Sequence, residues 1–206
     1  YIQELAAKFP TLINPDEMLE ENVKYPLAGY LYPATYPYFE ENPPLTLIIE
    51  QMIEETNKYV VQYQDAIAAN KWINTPHKFL TFSSLLEKEA TGTTDRATIA
   101  SVFFNRLNEP MPLQTDPTVL YALGEHKDRV LYKDLEVKDP YNTYQNPGLP
   151  PGPIATAGAT SFEATLSPSK TSYLYFLADK DGKNHFAETY AQHQQNVAKY
   201  INTQYN

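Results

Sequence analysis

The sequence predicts an α+β fold, a mainly helical domain carrying one small antiparallel sheet. Three observations predict it. A long segment, Leu45 to Asn70, keeps its apolar residues Leu45, Ile48, Ile49, Met52, Ile53, Val60 and Ile67 at three- and four-residue spacings, the signature of an amphipathic helix. Two aromatic-rich runs, Tyr173 to Ala178 and His185 to Ala187, flank Asp179-Lys180-Asp181-Gly182-Lys183-Asn184, which reads as a β-hairpin around an Asp-Gly turn. Helical patterns lie on both sides of that hairpin instead of alternating with strands, so a parallel sheet is not expected.

The elements follow in order. Residues 1–24 read as helical and polar, with Asn14 as a cap and Pro15 at the first helical position. Leu27 to Tyr36 reads as a short extended segment dense in aromatics. After the long helix, Pro76 opens a second one through Ala90, and Thr91-Gly92-Thr93 breaks it. Thr94 is a candidate cap for a third helix, Asp95 to Leu107. Segments 109–118 and 138–160 are rich in Pro, Thr, Asn and Gly and are expected to be ordered loops. Val119 to Leu123 forms a short helix ended by Gly124, Ser161 to Leu166 forms another, and Glu188 to Tyr205 closes the chain as a helix.

Composition narrows the function. The 206 residues are 42% hydrophobic and 20% charged, as in an ordinary globular domain. No apolar run approaches the roughly 18 residues of a membrane span. A formal net charge of −9, with no basic cluster, argues against nucleic acid and anionic lipid surfaces. The absence of Cys excludes disulfides, cysteine nucleophiles and thiolate metal sites. The four His show no ligand spacing, and neither a nucleophile elbow nor a phosphate loop occurs. His185 is a cleft candidate, with a structural role as the competing reading. The chain starts without Met, in what reads as mid-helix, and is expected to be a piece of a longer protein.

One carboxyl stands out. In Phe82-Ser83-Ser84-Leu85-Leu86-Glu87-Lys88-Glu89-Ala90, a step of about 100° per residue puts Phe82, Leu86 and Glu89 on one stripe. Glu87 points about 140° away from Phe82, toward an expected solvated face. Glu89 therefore ends an apolar stripe at a helix C-terminus, where desolvation and the helix dipole both raise a carboxyl's pKa. That is the setting of a general acid near neutral pH. The competing reading pairs this acid with a cation, for which Arg96 and Arg106 are candidates.

Polar groups for a ligand are concentrated in two loops. Met111-Pro112-Leu113-Gln114-Thr115-Asp116-Pro117-Thr118 holds its polar residues between prolines that stiffen the backbone. Tyr141-Asn142-Thr143-Tyr144 alternates aromatic faces with amide and hydroxyl groups, as a sugar chain alternates C–H faces with hydroxyls. Gln114, Asp116 and Asn142 could equally satisfy loop backbone groups.

Seven stretches, in one order, resemble the endolytic murein transglycosylase (YceG-like) family. They are Gly29-Tyr30-Leu31-Tyr32-Pro33-Ala34-Thr35-Tyr36, Glu87-Lys88-Glu89, Ile99 to Leu107, Leu113 to Val119, Tyr141 to Tyr144, Gly148 to Ile154 and Tyr173 to Phe176. The resemblance covers about residues 25–200. It implies a catalytic domain over 25–206 with a lysozyme-like active-site helix, preceded by the end of another region, a linker helix, over 1–24. It places the family's catalytic acid, the second Glu of its Glu-Lys-Glu motif, on Glu89. Ala90 stands where the family often has Thr or another small residue, so no hydroxyl is offered there, and Ala34 stands where it commonly has Asp. Substrate contacts are implied for Tyr32, Gln114, Thr115, Asp116, Tyr141, Asn142, Thr143 and Tyr144.

The implied reaction is cleavage of the β-1,4 bond between N-acetylmuramic acid and N-acetylglucosamine inside peptidoglycan strands. One Glu acts as acid and then as base, leaving 1,6-anhydro ends, with no metal and no cofactor. The implied partners are peptidoglycan glycan strands and the cell-wall synthesis machinery. The implied place is the outer face of the cytoplasmic membrane, reached by an N-terminal anchor outside these residues. Two other readings compete: a non-catalytic peptidoglycan-binding module, and a muramidase hydrolysing the same bond with Asp116 as second acid.

Overall fold

The structure is a computed structural model, which describes residues 1–90, 95–125, 127 and 130–201. The Thr91-Gly92-Thr93 break, the Thr94 cap and the last turn up to Tyr205 lie outside the described residues.

Eight helices and one hairpin are found among the described residues: α1 (Ile2–Lys8), α2 (Pro15–Met18), α3 (Leu45–Ala69), α4 (Pro76–Glu89), α5 (Arg96–Asn108), α6 (Asp116–Leu123), α7 (Ala159–Leu166), β1 (Tyr175–Ala178), β2 (Asn184–Ala187) and α8 (Tyr190–Tyr200). A short 3-10 helix, Tyr132–Glu136, lies between α6 and α7, in a stretch assigned no element from the sequence.

Local chemistry accounts for most boundaries. Asn14 Oδ1 accepts from Asp16 N at 3.1 Å ahead of Pro15, as expected for a cap followed by proline. Thr75 plays the same part for α4, accepting from Lys78 N at 3.3 Å, with Pro76 next. Gly124, at φ +67°, ends α6 and returns its N–H to Leu120 O and Tyr121 O. The start of α6 differs from expectation. Asp116 and Pro117 open the helix rather than closing a loop, because proline is tolerated in a first helical turn.

The core is built around α4. Phe79, Leu80, Phe82, Leu85 and Leu86 are buried, and so are His77, Thr81, Ser83 and Ser84. The helix is therefore surrounded along most of its length, packing against α7, α5, α3 and α6. Its small hydroxyl residues allow that close approach because each finds a partner. Ser83 Oγ and Thr165 Oγ1 of α7 are 2.9 Å apart; Ser84 Oγ donates to Thr81 O and accepts from Ile154 N at 3.0 Å. Phe162 of α7 packs on Phe79 and Tyr59, while Phe82 stacks on Phe104 of α5. Leu5, Leu12, Ile13 and Met18, from the first 24 residues, belong to the same buried cluster.

Segment 27–36 is irregular instead of extended. Gly29, at φ +81°, brings the backbone so near Pro153 that a Cβ here would meet its Cβ at 2.4 Å. In the hairpin, Tyr175 pairs with Ala187 and Ala178 with Asn184. Asp179 Oδ1 accepts from Asp181 N and Lys183 N, both at 3.0 Å, and shapes the expected turn. A capping box of Thr189 and Gln192 starts α8, which packs against both strands.

Candidate active site

A cleft of about 250 Å³ opens where the C-terminus of α4 meets α5, the loop before α6 and the strands β1 and β2. Glu89 lines it. The last turn of α4 carries it there in the helical phase of the buried Phe82 and Leu86. Around it lie Phe103, Arg106, Leu113 and Phe176; Gln114, Thr115, Asp116, Tyr144 and Asn184 supply the polar wall.

Among the described residues, no hydrogen bond or ion pair reaches the Glu89 carboxyl. Burial pushes it up to about 8, the negative charge of Asp116 pushes the same way, and the Arg106 guanidinium pulls partly back. A carboxyl in that range is protonated at neutral pH and can still give up its proton.

Neither cation proposed as a partner for Glu89 pairs with it. Arg96 Nη2 lies 3.4 Å from Glu87 Oε1. Arg106 is buried and donates to loop oxygens, with Nε to Leu174 O at 2.7 Å and Nη1 to Leu113 O at 2.9 Å, to Pro112 O and to the Gln114 side-chain Oε1. It thus clamps β1 to the 112–114 loop and adds positive potential without neutralising the acid. Its position follows from helical phase, since Phe103 and Arg106 are one turn apart on α5.

Glu87 corrects the expectation of a solvated face. Its carboxylate accepts from Ser161 Oγ at 2.6 Å and Gly158 N at 3.2 Å, both at the start of α7, and faces Arg96. Those bonds outweigh desolvation and hold its pKa below the usual carboxylate value. Two residues apart on one helix, one acid is locked ionised and the other is poised protonated.

Four of the residues expected to contact substrate line the cleft with Glu89: Gln114, Thr115, Asp116 and Tyr144. Tyr144 donates its phenol to Asp116 Oδ1 at 2.7 Å, and burial with that bond raises its pKa, so it remains a donor. Gln114 adopts φ +53°, a left-handed conformation uncommon for a side-chain-bearing residue and typical of functional loops. Its N–H donates to Thr143 O at 3.2 Å, which helps hold that geometry.

Tyr32, Tyr141, Asn142 and Thr143 do not line the cleft, and their polar groups are consumed inside the fold. Asn142 Nδ2 donates to Leu135 O and Val137 O, while its Oδ1 accepts from Tyr144 N at 3.0 Å. Thr143 Oγ1 accepts from Thr115 N at 3.0 Å and pairs with Thr118 Oγ1 at 2.8 Å. Thr143 locks the 141–144 loop onto the 113–118 loop, and Asn142 ties it to the 135–137 segment; together they position Gln114, Asp116 and Tyr144. Tyr141 is buried against Tyr121, and Tyr32 stacks on Tyr59 at 5.0 Å. His185 is held by Asp179 at 2.8 Å and stacks on Tyr200. Asn184, which the sequence did not single out, lines the cleft while donating to Asp95 Oδ2 at 3.2 Å. Only the pairing of β2 with β1 brings it there, so no local pattern marks it. Among the described residues, no group of three His, Asp or Glu side chains is placed to hold a metal ion.

Comparison with known proteins places this arrangement. The profile of the YceG-like family matches residues 2–199. The endolytic murein transglycosylase of Bacillus subtilis (strain 168) is 53% identical over 203 residues, 98% of this chain and 56% of that protein. The endolytic murein transglycosylase of Streptococcus pneumoniae serotype 2 is 35% identical over 212 residues, 100% of this chain and 38% of that protein. This chain therefore spans only part of the length of these relatives. A crystal structure of a YceG-like protein from Listeria monocytogenes superposes with a TM-score of 0.89 at 49% identity, over 94% of this chain and 62% of that one. The resemblance carried by the seven stretches and the α+β fold agree with these matches: the chain belongs to the YceG-like family.

Proposed function

We propose that this chain carries the catalytic site of an endolytic lytic transglycosylase, which cuts the β-1,4 bond between N-acetylmuramic acid and N-acetylglucosamine within peptidoglycan strands. The observation that carries the reading is Glu89: a carboxyl raised to about 8, lining a cleft, without an ion-pair partner among the described residues. The names of the curated relatives support the same reaction class.

The chemistry suits one acid. Glu89 donates its proton to the glycosidic oxygen as the C1–O bond breaks and positive charge develops at C1. The C6 hydroxyl of the same muramic acid then attacks C1, and the Glu89 carboxylate accepts its proton. The product ends in a 1,6-anhydro ring, and the acid is regenerated. Attack from within the substrate has the rate advantage of proximity and needs no protein nucleophile. Asp116, fixed by Tyr144, contributes negative potential on the side of the developing charge. Cleavage of such strands would place the working site on the outer side of the cytoplasmic membrane, next to the machinery that inserts new wall.

The test is digestion of purified glycan strands with mass analysis of the ends. Wild type is expected to give anhydro ends and Glu89→Gln none. A second reading draws on one observation, that Asp116 shares the cleft. A muramidase uses two carboxylates about 5–9 Å apart, and reducing ends carrying solvent oxygen would establish it in place of the transglycosylase. Strand binding with no cleavage by any form would leave a binding module.

A further inference from the structure

Away from the catalytic cleft, two cavities meet at Trp72, the single tryptophan of the chain. One, of about 330 Å³, is lined by Lys71, Trp72, Phe104, Asn108 and Lys170 among others. The other, of about 430 Å³, is lined by Lys71, Trp72, Lys78, Glu17 and Glu20 with the Leu149–Pro151 segment. Because Lys71 and Trp72 belong to both, the two are lobes of one groove that crosses the indole.

This groove is separate from the site of cleavage. On α5, Phe103 and Arg106 line the catalytic cleft, whereas Ser101, Phe104, Asn105 and Asn108 line the groove. The helix stands between the two sites. Along α4, Lys78 precedes Glu89 by eleven residues, about 16 Å at 1.5 Å per residue.

Its chemistry is specific. The Trp72 Nε1–H donates to Asn108 Oδ1 at 2.9 Å, and Asn70 Oδ1 accepts from Trp72 N at 2.8 Å, so the indole is a fixed platform. A ligand meeting a fixed platform avoids part of the ordering cost of binding. The Lys71 ammonium lies 4.5 Å above the ring. Among the described residues neither Lys71 nor Lys170 has a carboxylate partner, in a chain with 25 acidic against 16 basic residues. At the far lobe Glu20 is exposed, and Glu17 accepts from the Thr75 hydroxyl at 2.9 Å. Lys170 in one lobe, Glu17 and Glu20 with Lys78 in the other, and Lys71 with an aromatic face between them match a short peptide that bears both a carboxylate and a free amine.

We infer that the Trp72 groove binds the peptide stem of a glycan strand, with stem carboxylates on Lys71 and Lys170, the amide body across Trp72, and the free amine toward Glu17 and Glu20. The inference rests on the reading of this chain as a peptidoglycan-cleaving protein and adds a recognition element to it. The groove would select stem-bearing wall and hold it while a bond is cut on the other side of α5.

Trp72 is its own reporter, because excitation at the red edge of protein absorbance isolates tryptophan from the 17 tyrosines. Glu89→Gln protein, titrated with stem-bearing strands or with free stem peptide, is expected to show a saturable emission shift. The double change Lys71→Glu with Lys170→Glu should weaken it tenfold or more, and Lys170→Glu alone severalfold. Acetylating the stem amine should remove the sensitivity to Glu17→Gln and Glu20→Gln. No saturable shift, an equal shift in the double variant, or an equal shift with strands stripped of stems would overturn the inference. Wild-type cleavage of stem-bearing strands separates the two readings: no cleavage with an intact shift would overturn the catalytic reading and leave the groove standing as a wall-binding site.

Discussion

Glu87 and Glu89 occupy the same turn of α4, yet their surroundings push them to opposite protonation states. On the Glu87 side, the start of α7 offers a backbone N–H and a hydroxyl, and Arg96 adds a cation. On the Glu89 side, hydrocarbon from Phe103, Leu113 and Phe176 meets a second carboxylate, Asp116. The difference teaches that charge state is decided by what the neighbouring elements present, and hardly by position along a helix. The Glu87 side is built to hold a structure together, and the Glu89 side to release and recover a proton.

The largest effect expected from breaking this comparison is on rate. Glu89→Gln should lower cleavage by about 10²–10⁴-fold, the usual range for removing a general acid, while the fold is kept. Single-turnover digestion of strands measures it. A residual rate near wild type would move the catalytic role elsewhere.

Next comes stability on the Glu87 side. Glu87→Gln leaves Gly158 N–H, Ser161 and Arg96 without their charged acceptor and should cost about 2 kcal/mol, read by denaturant unfolding. Because its folded pKa is depressed, the contribution of Glu87 is present above the unfolded value and disappears as pH falls through the folded one. The penalty of Glu87→Gln should therefore shrink in acid.

Glu89 should behave in the opposite sense. With a folded pKa near 8 against an ordinary value of 4.5, the folded state binds more protons between those two pH values, so wild-type stability falls as pH rises through that window. Glu89→Gln should consequently be more stable than wild type by about 4 kcal/mol at pH 8 and about equal at pH 4.5, by thermal or denaturant melts at both. No pH dependence of that difference would mean that the carboxyl is ionised throughout.

The smallest effect sharpens the role of Asp116. Removing its charge by Asp116→Asn takes away one cause of the raised Glu89 value. The basic limb of the pH–rate profile, where the protonated acid is lost, should then move to lower pH. An unmoved limb would show that burial alone sets the acid.

The same contrast explains what could be read in advance. Helices α3 and α4 were legible because apolar spacing and an opening proline are local signals, and the position of Glu89 was legible because helical phase is local too. The partners of Glu87 were not, since Gly158 and Ser161 lie some seventy residues downstream and meet it only when α7 docks. Asn142 and Thr143 were expected at the substrate because an amide or hydroxyl looks the same in sequence whether it serves a ligand or a loop. Here the loops took them, and they position the neighbours that do line the cleft. Asn184 was invisible, since only hairpin register carries it there.

The burial of α4 on all sides has a consequence for how the cleft gives way. The amides of Phe79–Leu86 lie in the centre of the packed core, so their deuterium exchange should require global opening. The facing wall is a two-stranded hairpin, whose turn at 179–183 should exchange by local fraying. The cleft thus resembles a vice with one fixed jaw and one compliant jaw: the acid is carried at the end of the segment expected to open last, and the hairpin wall opposite is the part expected to open first.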